Sequence, residues 1–180
     1  MRAFIAIDLP ENIKEELAKI QRQLPEAKMK LVEKQNLHLT LRFLGEISDT
    51  QINKIKEKLR EIKMKKFCSS LTSIGVFPSE KFVRIIWIGL KAEKGEEIFQ
   101  LREKIEKAVE EAGMKKDERF ESHLTLARVK FIKDKKGFIE KINQIKVKPL
   151  EFFVTNFALK KSTLTKAGPI YEDILKFELQ

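Results

Sequence analysis

Apolar residues recur along this chain of 180 residues with two different periods, which assign most segments to helices or strands. A spacing of three or four positions predicts amphipathic helices, because it places apolar side chains on one helix face. This spacing predicts four helices, at residues 10–24, 49–65, 96–112 and 135–145, with Ser48 or Asp49 as the cap of the second.

Shorter segments that are apolar throughout or alternate between apolar and polar residues predict strands. We place them at residues 2–9, 29–32, 36–44, 67–77, 84–90, 122–131, 149–160 and 170–178. The resulting order mixes strands and helices along the whole chain, which indicates an α+β protein.

Two of the predicted strands contain the same tetrapeptide, His-Leu-Thr-Leu, at residues 38–41 and 123–126. The chain has only two histidines, and both belong to this motif. In a strand, residues two positions apart point to the same face, so each motif presents an imidazole and a hydroxyl on one side. The leucines on the other side can enter a core. Two such strands facing each other would surround a small anion with two imidazoles and two hydroxyls.

The two halves of the chain repeat one order of elements. The apolar strands FIAIDL and RIIWIGL are each followed by a long helix and then by a motif strand, and the motifs lie 123 − 38 = 85 residues apart. This order predicts an internal duplication within one domain, residues 1–180, made of two pseudo-repeats. We therefore expect an α+β bilobal fold with pseudo-twofold symmetry, in which antiparallel or mixed sheets line a central cleft and the helices lie outside.

The net positive charge of the chain bears on the kind of molecule it binds. Lysine and arginine number 37 against 27 aspartates and glutamates, which gives a net charge of +10. An excess of this size suits a polyanion such as RNA, but a high content of Lys and Glu is also typical of thermophile proteins, so both interpretations stay open. The single cysteine excludes an internal disulfide, and no apolar run approaches the length of a membrane span. The first residues lack the profile of a signal peptide, so we expect a cytoplasmic protein without a membrane partner.

The paired histidines indicate acid–base chemistry. An imidazole titrates near neutral pH, so one ring can accept a proton from water while the other donates one to a leaving alkoxide. The threonine hydroxyls can donate to phosphate oxygens, and such a reaction needs no metal. Two histidines without cysteines or a suitably spaced acidic residue make a poor zinc site, and no Gly-rich phosphate loop is present.

With these two motifs, the chain resembles the 2H phosphoesterase superfamily, whose mark is two His-x-Thr-x motifs. Within it, the sequence is most similar to the RNA 2′,3′-cyclic phosphodiesterases, also called the 2′-5′ RNA ligase family. The matching segments are MRAFIAIDLP, NLHLTLRFLGEI, VRIIWIGL, FESHLTLARVK and LKKSTLTKAGPIYEDILKFEL. The resemblance implies opening of a 2′,3′-cyclic phosphate at an RNA end to a 2′-phosphate, and the family's ligase name implies the joining of such ends through 2′-5′ linkages.

The resemblance also implies roles for six residues. They are His38 as proton donor, His123 as proton acceptor, Thr40 and Thr125 as phosphate-binding hydroxyls, Arg128 as a cation near the phosphate, and Phe43 beside the nucleoside. The implied partner is RNA with 2′,3′-cyclic phosphate ends, including tRNA fragments, and the implied protein is a monomer without cofactor or metal.

Strand alternation makes a different prediction for three positions after the motifs. Arg42, four residues after His38, should face the cleft, whereas Phe43 and Arg128 should face away from it unless a bulge intervenes. Trp87 is expected in the core, and Tyr171, in a loop-like stretch, can be a plain strand residue or a substrate contact.

Two other functions fit the same sequence. One is an RNA-binding module that holds phosphates without turnover, although arginine or lysine would serve such a module better than histidine. The other is a phosphodiesterase that acts on a small cyclic nucleotide.

Overall fold

A computed structural model describes all 180 residues and places the helices and strands close to the apolar patterns. The four helices are α1 (Glu11–Gln23), α2 (Asp49–Arg60), α3 (Glu97–Glu111) and α4 (Lys135–Gln144). The nine strands are β1 (Arg2–Asp8), β2 (Lys28–Leu31), β3 (His38–Glu46), β4 (Phe67–Ser79), β5 (Phe82–Ala92), β6 (His123–Phe131), β7 (Glu151–Val154), β8 (Asn156–Leu164) and β9 (Pro169–Glu178). A short 3₁₀ turn at Lys34–Asn36 precedes β3.

All nine strands form one curled sheet, with the order β7-β4-β5-β6-β3-β1-β8-β9 and β2 added beside β6. Every pair of neighbours is antiparallel. The predicted α+β fold is thereby confirmed. The two motif strands, β3 and β6, are neighbours at the centre of the sheet, where Leu39 pairs with Leu124.

The order of elements is symmetric about this central pair. Outward from the centre, β1 and β5 flank the motif strands, and β8 and β4 follow them. Helices α1 and α3 follow β1 and β5 in the chain, and α2 and α4 follow the two motif strands. The repeat seen in the sequence therefore corresponds to a repeat of structural elements around β3 and β6.

The core lies on one face of the sheet, beneath the helices. It is a cluster of 34 buried apolar residues to which β1, β3, β5, β6 and the first three helices contribute. The motif leucines, Leu39, Leu41, Leu124 and Leu126, all belong to it and are at most 2% exposed. Their burial fixes the face on which the motif histidines and threonines stand, as the alternation of strand side chains predicts.

Most predicted boundaries lie within two residues of the observed ones, but two predictions fail by more, and in both places hydrogen bonds between distant segments override the local pattern. Helix α2 ends at Arg60 instead of residue 65, because the following segment pairs with the end of the chain: Gln180 N donates to Met64 O, and Lys66 N donates to Gln180 O. The strand predicted at residues 149–160 is broken at Thr155. Its first part, β7, pairs with β4, and its second part, β8, pairs with β1 on the other side of the sheet.

None of the helices is both long enough and apolar enough to cross a membrane.

Candidate active site

The two histidine rings are held in the same way. Nδ1 of His38 lies 2.7 Å from the carbonyl oxygen of Asn36, and Nδ1 of His123 lies 2.8 Å from that of Glu121. A carbonyl can only accept, so each Nδ1 carries a proton and donates it to the residue two positions earlier. The Nε2 atom of each ring is therefore the one left for chemistry. Both histidines line one cleft of about 720 Å³.

Each ring also packs against aromatic neighbours. The centroid of His38 lies 5.0 Å from that of Phe4 and 5.3 Å from that of Tyr171, which meets it edge-on. On the other side of the cleft, Phe77 meets His123 edge-on at 5.0 Å. These contacts, together with the carbonyl hydrogen bonds, restrict the rotation of both rings.

The environment of His38 favours its neutral form in the free protein. Burial lowers the pKa of His38 from its usual 6.5 to about 4, an effect that the hydrogen bond to Asn36 opposes and the positive charge of Lys160 reinforces. The ammonium of Lys160 is itself held by two carboxylates, Asp8 at 2.9 Å and Asp173. At neutral pH the Nε2 atom of His38 is thus an acceptor.

The two threonines differ in their contacts. Oγ1 of Thr40 lies 2.8 Å from Nε2 of His38 and donates to it when the ring is neutral. The hydroxyl of Thr125 has no hydrogen-bond partner in the protein, and its residue lines the cleft. The register around the Leu39–Leu124 pair sets each histidine across from the threonine of the other motif. The sheet thus gathers the four predicted residues in one place.

A β-bulge in each motif strand changes which later residues face the cleft. On β3, Thr40 pairs with Ala6 and Arg42 with Ile5, so Leu41 has no partner on β1. On β6, Leu126 is skipped in the same way, between the pairs of Thr125 and Ala127 with β5. The extra residue shifts the alternation by one position, as bulges do. Phe43 and Arg128, at the fifth position after their histidines, accordingly line the cleft.

The prediction from simple alternation was therefore wrong for Arg42. Its guanidinium is buried and engaged on the helix side: Nε lies 2.9 Å from Glu106 of α3, Nη2 donates to Lys115 O at 2.6 Å, and Nη1 donates to Asp117 at 3.3 Å. The residue borders the cleft, but its charge is used to hold the segment that leads into β6. The bulge at Leu41 is the physical reason.

The cleft carries further charges around its mouth. Arg2, Lys30 and Arg119 line it together with Arg128, and the acidic residues Glu33, Asp117 and Glu121 lie among them. Lys30 donates to Ala167 O at 2.5 Å and so connects β2 with the turn between β8 and β9.

Several residues around the histidines were not singled out by the sequence or were left open. Phe4 and Phe77 gave no signal beyond apolar strand patterning, which does not tell a core side from a cleft side. Tyr171 lies in β9 and lines the cleft beside His38. Burial raises the pKa of its phenol, and the charges of Arg128 and Arg2 act against that rise. Trp87, which was expected in the core, is partly buried and stacks on Phe77 at 4.9 Å, behind His123.

The structure contains no group of three or more His, Cys, Asp or Glu side chains suited to hold a metal ion.

Comparison with known proteins gives the family. A family model described as LigT-like phosphoesterase matches the chain twice, at residues 7–87 and 88–171, so that each match contains one motif. An RNA 2′,3′-cyclic phosphodiesterase from Methanocaldococcus jannaschii is 44% identical over 178 residues, which cover 97% of this chain and 98% of that protein. One of the same name from Archaeoglobus fulgidus is 35% identical over 180 residues, 99% of this chain and all of that protein.

Solved structures agree with this relationship. A crystal structure of a Thermus thermophilus protein superposes with a TM-score of 0.81 at 30% identity, covering 99% of this chain and 97% of that one. The crystal structure of Escherichia coli LigT complexed with 3′-AMP has a TM-score of 0.80 at 25% identity, with the same coverage. The resemblance inferred from the doubled motif is confirmed: the chain belongs to the LigT-like phosphoesterase family of the 2H superfamily.

Proposed function

We propose that this protein hydrolyses the 2′,3′-cyclic phosphate at the end of an RNA to a 2′-phosphomonoester, by acid–base catalysis from its two histidines. The observation that carries the proposal is the matched orientation of the rings, each with Nδ1 donating to a carbonyl, so that Nε2 is the nitrogen available for proton transfer. The relatives named above as RNA 2′,3′-cyclic phosphodiesterases support the substrate. The complex of E. coli LigT with 3′-AMP supports a nucleotide in the cleft.

In this proposal each histidine moves one proton. His123 accepts a proton from water as the water oxygen bonds to phosphorus, and His38 donates a proton to the 3′-oxygen as its bond to phosphorus breaks. The ring opens, the phosphate stays on the 2′-oxygen, and the two histidines have exchanged protonation states. The same acid and base serve ligation when a 5′-hydroxyl takes the place of water. His123 accepts the proton of that hydroxyl as its oxygen bonds to phosphorus, and the 3′-oxygen leaves with a proton from His38, which gives the 2′-5′ linkage named in the family.

Four further residues complete the assignment. The hydroxyls of Thr40 and Thr125 donate to the nonbridging phosphate oxygens, where negative charge accumulates. Arg128 lines the cleft within reach of that charge, and Phe43, 59% exposed, offers an apolar surface to the terminal nucleoside. No metal ion takes part, because the two imidazoles supply the acid and the base.

The low pKa of His38 bears directly on its donor role. A general acid must be protonated, whereas burial keeps this imidazole neutral in the free protein at neutral pH. The cyclic phosphate brings a negative charge against Nε2, and this opposite charge favours the protonated ring once the substrate is bound. Proton uptake by His38 is then coupled to substrate binding.

The first experiment measures the reaction itself. An oligoribonucleotide ending in a 2′,3′-cyclic phosphate is incubated with the protein in excess chelator, and the product is treated with a phosphatase specific for 3′-monoesters. We expect full opening of the ring and a phosphate that resists removal. Loss of activity in chelator would contradict the metal-free mechanism, and removal of the phosphate would mean that the ring opens at the other oxygen.

A second experiment assigns the roles of the histidines from the pH dependence of single-turnover rates. The residual rate of His38→Ala should rise with pH, because its remaining histidine must be neutral to act as the base. The residual rate of His123→Ala should fall with pH, because its remaining histidine must be protonated to act as the acid. The opposite pair of slopes would exchange the two assignments.

A further inference from the structure

The catalytic cleft continues into the exposed surface of the strand pair β2–β6. Met29 and Val129 are paired in this ladder, and both pack against the small apolar cluster that contains Phe138 of α4. Their neighbours in each strand therefore point to the opposite face, the face of the cleft. On that face Lys30 and Arg128, which line the cleft, pair with each other, and Lys28 and Lys130 come next.

An exposed aromatic residue stands at the outer end of this surface. Lys130 is skipped in the pairing, so Phe131 pairs with Lys28 and shares its face. The ring of Phe131 is 63% exposed. A strand advances about 3.3 Å per residue, so Phe131 lies on the order of 10 Å beyond Arg128. We call Lys28, Arg128, Lys130 and Phe131 the basic strip.

The charge of the basic strip is not neutralised within the protein. None of Lys28, Arg128 and Lys130 forms a salt bridge, although the structure contains fourteen such contacts elsewhere. The two strand segments, KMKL and RVKF, contain no acidic residue. Three exposed cations and an exposed aromatic ring in one row are the elements with which proteins bind single-stranded nucleic acid.

The basic strip occurs in only one of the two pseudo-equivalent halves. Subtracting the repeat distance, 123 − 38 = 85, gives Phe43, Gly45 and Glu46 as the counterparts of Arg128, Lys130 and Phe131. The counterpart side therefore carries an aromatic residue near the phosphate and an acidic one at its outer end. A symmetric site would bind an asymmetric substrate equally well in two orientations. The difference between the two halves favours one orientation of the RNA end in the cleft.

The terminal ribose is asymmetric in the same way. The base on C1′ and the chain on C4′ leave the sugar on opposite sides of the 2′,3′-edge that carries the cyclic phosphate. When the base lies beside Phe43, the preceding RNA strand must leave on the side of β6. We propose that the basic strip binds the nucleotides preceding the cyclic phosphate, with phosphates on Lys28 and Lys130 and a base stacked on Phe131. This inference rests on the proposed function and makes the protein an enzyme of RNA ends in preference to mononucleotides.

The test compares two substrates that differ only in the preceding strand: a mononucleoside 2′,3′-cyclic phosphate and an oligoribonucleotide with the same terminal nucleoside. Phe131→Ala should lower kcat/KM for the oligonucleotide about tenfold, because it removes the ring on which the base stacks. Lys28→Ala with Lys130→Ala should reduce the slope of log kcat/KM against log salt by about 0.7 per lysine. Neither variant should change kcat/KM for the mononucleotide.

Matched controls lie on other surfaces of the protein. Phe153→Ala removes another exposed phenylalanine, from β7 at the edge of the sheet, and Lys115→Ala with Lys116→Ala removes two lysines from the counterpart side. These variants should leave both substrates unaffected. An equal loss on both substrates in the strip variants, or no loss on the oligonucleotide, would overturn the proposal.

A failure of the proposed function would be visible separately, as wild-type protein that turns over neither substrate. The basic strip is then tested by fluorescence anisotropy with a labelled oligoribonucleotide ending in a 3′-phosphate. Weaker binding by Phe131→Ala and by the double lysine variant supports the strip as an RNA site, whereas unchanged Kd values overturn it.

Discussion

Thr40 and Thr125 occupy equivalent positions in the two motifs, but their hydroxyls make different contacts. Thr40 donates to His38 in the free protein, whereas Thr125 has no partner until a ligand arrives. Both hydroxyls serve the phosphate in the proposed reaction, but only Thr40 also contributes to the structure of the free site.

Replacement of each threonine by valine separates its effect on catalysis from its effect on stability, because valine keeps the branched shape and removes only the hydroxyl. Each variant should lose on the order of 2.7–4 kcal/mol of transition-state stabilisation, measured as kcat/KM on a cyclic-phosphate RNA. Thr40→Val should also lower the free energy of unfolding by about 1 kcal/mol, measured by chemical denaturation, whereas Thr125→Val should leave it unchanged. Normal kinetics in either variant would remove that hydroxyl from the mechanism.

The lowered pKa of His38 also predicts how stability depends on pH. The folded protein binds a proton at His38 only near pH 4, whereas the unfolded chain binds it near pH 6.5. The contribution of the neutral ring to stability is therefore complete above pH 6.5 and is lost as the pH falls toward 4.

Between pH 7 and pH 4.5 this loss amounts to about 2–3 kcal/mol, given 1.36 kcal/mol per pKa unit. Denaturant unfolding at both pH values should show that wild-type protein loses this much more stability than His38→Gln, which has no proton to bind at that position. An identical loss in the two proteins would show that the pKa of His38 is not lowered by folding.

At the scale of elements, the segment between α3 and β6 is held by a buried charge network. Glu106 of α3 pairs with Arg42 and Arg102, and its second oxygen accepts from Asp117 N at 2.7 Å. Arg102 donates in turn to Asp117 O at 2.7 Å. The anchored segment continues to Glu121, whose carbonyl orients His123. The network thus connects a helix in the core to the position of the His123 ring.

Removal of the Glu106 charge should leave the buried guanidinium of Arg102 without an anion and that of Arg42 with only the carboxylate of Asp117, at 3.3 Å. Glu106→Gln is expected to lower the free energy of unfolding by about 3–5 kcal/mol, as breaking a buried ion pair does. Chemical denaturation measures the change, with Glu110→Gln on the exposed face of the same helix as the control that should stay near wild type. A loss below about 1 kcal/mol would mean that the network does not stabilise the fold.

The strands also mark the limit of what local sequence patterns predict. Alternation placed His38, Thr40, His123 and Thr125 correctly, because nothing interrupts the strand between the first and third motif residues. It failed for Arg42, because the bulge at Leu41 comes from pairing with β1 and has no signature of its own in the sequence. The apolar run at residues 149–160 likewise gives no sign that the chain changes sides of the sheet at Thr155.

For the whole molecule, the duplication explains both what was predictable and what was not. Two copies of one pattern, 85 residues apart, predicted the α+β fold and the meeting of two motifs. A repeat cannot reveal how its copies differ, and in the proposed reaction those differences determine which ribose oxygen leaves. The lowered pKa of His38, the basic strip beside β6 and the aromatic neighbours of each ring all depend on residues outside the motif.

The structure shows where part of the excess positive charge of the chain lies. The net charge of +10 left open whether the cations serve RNA or reflect only an overall composition rich in lysine and glutamate. Nine of the 37 lysines and arginines form salt bridges, such as Lys34 with Glu11 and Lys58 with Glu111. The cations of the basic strip form none, and they extend the cleft that holds the two histidines.

The central claim is that one cleft uses both histidines as a single catalytic unit, and single-turnover rates on a cyclic-phosphate RNA in excess chelator test it most directly. His38→Ala and His123→Ala should each slow ring opening by a factor of order 10²–10⁴. The double variant should be scarcely slower than either single one, because groups that act together are not additive. A single variant with a near-normal rate, or a double variant slowed by the product of the two factors, would contradict the account.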